Sequence, residues 1–81
     1  MQQWSGSEMI LTIETDREED GRWFAEVLEL PGAILYGTNE LDAINKVKCL
    51  ALQAIADQIE HNELAEVDSI SFVLKVNLEA A

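Results

Sequence analysis

The chain has 81 residues, five Lys and Arg against sixteen Asp and Glu, and a formal net charge of −11 at pH 7. That length holds one small core and no second domain, and a hydrophobic fraction of 48% is too high for a disordered acidic tail. The five cations, Arg17, Arg22, Lys46, Lys48 and Lys75, are too scattered to displace counterions from phosphate, which argues against nucleic acid or an anionic membrane as direct partners.

Met1 to Ser7 is polar apart from Trp4 and is expected to be a flexible tail, with a single domain over 8–81. Met9, Leu11 and Ile13 alternate with Ile10, Thr12 and Glu14, the period of a strand. A charged stretch ending in Asp20-Gly21 predicts a hairpin loop, because that dipeptide tolerates positive φ. The second strand is expected over Arg22–Leu28. Trp23, Ala25 and Val27 would share one face, and Arg22, Phe24, Glu26 and Leu28 the other. Leu30-Pro31-Gly32 turns the chain, and Ala33–Tyr36 forms a short third strand closed by Gly37.

A helix follows. Asn39 is a good N-cap, and Asp42, three residues on, makes a capping-box-like pair. At 100° per residue the apolar positions, Ala43 to Ile59, sweep an arc of about 200°, wider than the ~100° stripe that covers one sheet. That width points to a second packing surface. His61 at the negative helix end and Asn62 as a left-handed cap predict the stop. In the last strand Ile70, Phe72, Leu74 and Val76 alternate with Ser69, Ser71, Val73, Lys75 and Asn77.

The resulting order is β-β-β-α-β. A meander of three strands and a right-handed crossover put the fourth strand parallel to the first, giving sheet order 3-2-1-4. The expected fold is an α+β two-layer sandwich with the helix on one face. Trp23 is expected under the helix. The other face would carry Ile10, Phe24, Leu28, Tyr36 and Val73 among Thr12, Glu14, Glu26 and Lys75. Nothing in the sequence is left to cover those apolar groups, so the face is a candidate contact surface, and the third strand is a free edge. Small size, the broad helix arc and this face together predict a homo-oligomer, dimer or tetramer, through face, helix or edge.

The single Cys49 and single His61 leave no internal disulfide and no Cys/His zinc set. No cofactor or small-molecule substrate is expected. Without a long apolar run or leader pattern, the chain is expected to be cytoplasmic. His61 reads as a helix cap rather than a general base, and Cys49, off the main apolar arc, as a small partly exposed filler.

The run Glu19-Asp20-Gly21-Arg22-Trp23-Phe24-Ala25-Glu26-Val27, then Glu29-Leu30-Pro31-Gly32 and Tyr36-Gly37, resembles the HicB-like antitoxin family. Ala43-Ile44, Leu50-Ala51-Leu52 and Ile55-Ala56-Asp57 fall where that family has its helix, and the likeness covers roughly Met9 to Val76. Leu28 stands in place of the family's usual proline, Asn39 in place of Thr or Ser, and Leu41-Asp42 in place of an acidic pair. Full-length relatives usually carry a C-terminal DNA-binding segment. This chain, stopping after its fourth strand, resembles the short stand-alone members.

The resemblance implies a partial RNase-H-like fold. It also implies a non-enzymatic antitoxin that blocks a small basic HicA-like ribonuclease, of double-stranded-RNA-binding fold, by protein–protein contact. An acidic inhibitor suits a cationic RNA-binding surface. The residues expected to meet the partner are Glu18, Glu19, Asp20, Phe24, Glu26, Leu28 and Tyr36. Two other readings compete. One is an orphan regulatory or scaffold domain with no toxin. The other is an RNase-H-like nuclease, which needs carboxylates converging on a metal: Glu14 or Asp16, Glu40 or Asp42, and Glu79, with only Asn77 at the end of the last strand. Sixteen acids supply such triples by chance, and a solvated acidic surface is the simpler explanation.

Overall fold

The computed structural model describes residues 8–64 and 67–75, and the N-terminal tail expected over residues 1–7 lies outside them. The elements are β1 (Glu8–Arg17), β2 (Trp23–Val27), β3 (Ile34–Gly37), α1 (Glu40–Glu60) and β4 (Ser69–Leu74). The sheet order is β3-β2-β1-β4. β1 is antiparallel to β2 and parallel to β4, and β2 is antiparallel to β3. The fold is therefore the expected α+β arrangement of one mixed sheet and one helix.

The hairpin forms as its chemistry demands. The Gly21 N–H donates to the Glu18 carbonyl (2.9 Å) and the Glu18 N–H to the Arg22 carbonyl (2.7 Å). Gly21 takes φ +94°, the left-handed step that closes such a loop. β2 is one residue shorter at each end than the alternation suggests, and β3 is displaced by one. Ala33 instead closes the turn: its N–H donates to the Leu30 carbonyl (3.0 Å) while its carbonyl accepts from Val27 (2.9 Å). β4 ends at Leu74, and the expected continuation to Val76 and Asn77 lies outside the described residues.

The helix ends match the sequence. Asn39 is extended and its side chain accepts from the Asp42 N–H at 2.8 Å. The Asp42 carboxylate reaches back one residue further than in a standard capping box, to the Thr38 N–H at 3.0 Å. That bond, with Lys46 3.3 Å away, holds the Asp42 carboxyl below its ordinary pKa. At the other end Asn62 adopts φ +58°. Its N–H donates to Ile59 and the Glu63 N–H to Gln58, the paired bonds of a Schellman stop.

The core joins Leu11, Ile13, Ala25 and Val27 of the sheet to Ala43, Ile44, Val47, Ala51 and Ile55 of the helix, with Ala33 at the turn. Trp23 packs against it, half-buried under the helix as expected. The helix sits mainly over β2 and β3 and touches β1 less. Leu41, Leu52 and Ile59 consequently lie outside the core, 44–65% exposed. The broad apolar arc is thus only partly buried: its central stripe faces the sheet and its flank does not.

Candidate functional site

The sheet face opposite α1 is built by the register of its strands. β1–β2 pairing sets Glu14 opposite Glu26 and Asp16 opposite Phe24. β2–β3 pairing sets Phe24 opposite Tyr36 and Glu26 opposite Ile34. On the other side β4 brings Ser71 beside Ile10 and Val73 beside Thr12. Because Leu11, Ile13, Ala25 and Val27 point into the core, their alternating neighbours must point away from it. No helix lies over this face among the described residues.

The face is apolar at its corners and acidic at its centre. Ile10, Leu28, Ile34, Tyr36 and Val73 are each 41–51% exposed. Phe24 and Tyr36 pack with ring centroids 5.9 Å apart. The Arg22 guanidinium lies 4.5 Å from the Tyr36 ring centroid, a cation–π contact that fixes that aromatic corner. Between the corners run the two glutamates. Glu14 is paired with Lys75 at 3.4 Å, whereas Glu26 has no basic partner among the described residues. Like charges directly opposite on a sheet cost a few tenths to ~1 kcal/mol, so an incoming cation at Glu26 relieves a repulsion the chain leaves half-compensated.

The acid next to this face is differently employed. Both Glu29 carboxylate oxygens are engaged at 2.7 Å, one by the Thr12 N–H and the other by the Thr12 hydroxyl. These donors hold its carboxyl below the ordinary range. The side chain thereby takes the place of a ladder partner where β2 leaves β1.

Of the seven residues expected to meet a partner, Phe24, Glu26, Leu28 and Tyr36 share the open face. Glu18 reaches its rim, where the Tyr36 hydroxyl donates to it over a long 3.4 Å. Glu19 and Asp20 sit in the exposed turn. Asp20 is tied to its own loop by the Arg22 N–H (3.0 Å) and Nε (2.9 Å), and the first of these is the chief cause of its lowered pKa. Ile34, beyond the residues expected there, also belongs to the face, and its spacing of two from Tyr36 in a strand is the sequence signal for it.

Among the described residues the nuclease candidates come together only as a pair. Asp16 and Glu40 do line one cavity of about 320 Å³, with Thr15, Trp23 and Lys75. There the Thr15 hydroxyl donates to Glu40 at 2.8 Å. Glu14 is on the open face, Asp42 serves the helix start, and Glu79 and Asn77 lie outside the described residues. Among the described residues only Asp57, Glu60 and His61 bring three ligand atoms within 4.8 Å of one another, and all three are exposed. The His61 Nδ1 is 2.8 Å from the Asp57 carbonyl, the contact of a ring capping the last turn. Cys49 is a free, exposed thiol.

No helix among the described residues is long and apolar enough to cross a membrane. Comparison of the chain with protein-family models, with curated proteins and with solved structures returns no match in any of the three.

Proposed function

We propose that this chain is a non-enzymatic binding domain of the HicB-like type, whose open sheet face docks on a small basic ribonuclease of the HicA type. One observation carries the reading: a sheet face with five large apolar side chains exposed around Glu14 and Glu26, on a chain of charge −11. The apolar groups supply the desolvated area that an interface core needs. The central acids choose a cationic partner over an acidic one and speed its approach. The ordered motif from Glu19 to Gly37 adds the identity of that partner. A site buried in use against protein, rather than a cleft converging on a metal, accounts for both.

Titration against a HicA-like toxin tests it. The expected result is a stoichiometric complex and loss of ribonuclease activity at micromolar concentration. Glu26→Lys is expected to weaken the complex at least about tenfold, or ~1.4 kcal/mol. Asp57→Lys on the outer helix face makes the same change in net charge and is expected to leave binding near wild type. Absence of binding and inhibition, or equal losses in the two variants, refutes the proposal. The scaffold reading uses the same face without a toxin, and a neighbouring gene for a small basic protein separates the two. The nuclease reading predicts Mg²⁺-dependent cleavage that Asp16→Asn abolishes, and we expect background rates from both forms.

A further inference from the structure

The sheet ends in β3 on one side and β4 on the other, and no described strand pairs with the outer side of either. The bond from the Val27 N–H to the Ala33 carbonyl sets the phase of the β2–β3 ladder. Ala33, Leu35 and Gly37 turn their backbone groups toward β2, and Ile34 and Tyr36 turn theirs outward. The Ile34 N–H is taken by the Gly32 carbonyl at 3.0 Å. The Ile34 carbonyl and both Tyr36 backbone groups are left facing out from the sheet. β3 has no charged residue and no proline, the usual protections of an edge.

Above this edge, helix and strand enclose two shallow hollows of about 370 and 250 Å³ that share Leu50. Leu35, Cys49 and Gln53 border the first, and Pro31 and Ala54 the second. Among the described residues no carboxylate lines either hollow, and the one charged lining residue is Lys46. Sixteen of the 81 residues are acidic, so an acid-free groove continuous with a bare strand edge is a departure from the rest of the surface.

That departure selects the occupant. Two chains of −11 repel wherever their acids approach within a Debye length of about 8–10 Å. Close contact between copies therefore needs a patch without acids, whereas a basic partner needs the reverse. The open sheet face has the acids, and the cavity at the β4 side is lined by Asp16 and Glu40. Among the described residues no carboxylate lines the groove above the β3 edge, and the two acids at its margins are engaged, Asp42 by Lys46 at 3.3 Å and Glu18 by the Tyr36 hydroxyl at 3.4 Å. We infer that a second copy of the chain docks there, the two β3 strands pairing antiparallel about a two-fold axis to make one continuous sheet. The α1 helices then lie side by side on the same side of that sheet, closing the groove between them, and a symmetric contact of this kind is self-complementary. The open face stays free on both copies, so the inference does not depend on the toxin reading.

Sedimentation equilibrium of the full chain tests it. The wild type is expected at about twice the 9.0 kDa chain mass. Cys49→Glu with Gln53→Glu adds acids to two exposed helix positions where glutamate is a good helix former. The double variant is expected to fall to 9.0 kDa with the far-ultraviolet circular dichroism of the wild type. Ser71→Glu and Val73→Glu, both on the open-face side of β4, are expected to keep the wild-type mass. A monomeric wild type overturns the inference. So does a dimer that survives the helix double variant, or one that is lost in either β4 variant while the helix variant keeps it.

Discussion

Gly37→Ala is the substitution whose cost can be worked most directly from the structure. Gly37 ends β3 opposite Trp23 and is buried where the chain passes into α1. A Cβ there meets the Ala43 backbone nitrogen in steric overlap, with the Ala43 Cα and the Asp42 Oδ2 each at 2.8 Å. Two of these three atoms are backbone in the first turn of α1, pinned by the Asn39 cap and by the fully buried Ala43 behind them. The strand must move away from the helix to admit the methyl, at the expense of the core packing between sheet and helix. Overpacking of this kind costs about 1–3 kcal/mol, and an immovable backbone puts it at the upper end. A domain of this length has about 4–12 kcal/mol in total, and each kcal/mol shifts the melting temperature by about 4–8 °C. The variant is expected to melt at least about 10 °C below wild type. Gly21→Ala supplies the contrast. Among the described residues nothing lies within 4 Å of its added Cβ, and its φ of +94° is what penalises it, by about 1–2 kcal/mol. Thermal unfolding followed by circular dichroism at fixed protein concentration compares them. If Gly37→Ala melts no lower than Gly21→Ala, the close approach of strand and helix is wrong.

Asn39→Ala removes the side chain that accepts from the Asp42 N–H. It is expected to lower stability by about 1 kcal/mol in urea unfolding, with no loss if the cap does not form in solution. The carboxyls of Glu29, Asp42 and Asp20 are all depressed. A depressed folded-state value contributes stability that is present above the unfolded value and lost as pH falls through the folded one. Stability is therefore expected to decline below the ordinary carboxylate values of 4.5 for Glu29 and 3.8 for Asp42. Glu29→Gln with Asp42→Asn is expected to flatten that acid limb of the urea midpoint. An unchanged slope would mean the Thr12 and Thr38 donors do not single out the ionised forms.

Element order, sheet order and both helix ends were legible in the chain because each rests on local chemistry. Period-two alternation in β1 and β4, Asp20-Gly21 in the loop, Asn39 before the helix and Asn62 after it need no distant contact to be recognised. The membership of the open face was also mostly legible, since alternation assigns a face once the core side is known. Strand ends were less so. Ala33 carries the composition of a strand residue, but its two backbone bonds make it the close of a turn.

The charge of −11 and the apolar pattern are properties of the sequence by itself. They determined that this is a small folded acidic domain with one sheet, one helix and a surplus of apolar surface. Where that surplus ends up was decided by tertiary structure. The helix settles over β2 and β3, so Leu41, Leu52 and Ile59 remain outside a core that their periodicity alone would have admitted. Gly37 reads as punctuation in the sequence and becomes a packing constraint only when Ala43 is set against it. The unbalanced Glu26 and the acid-free groove at Leu50 exist only after register and docking are fixed. Both depend on which residues are brought side by side from different elements, and no one-dimensional period carries that.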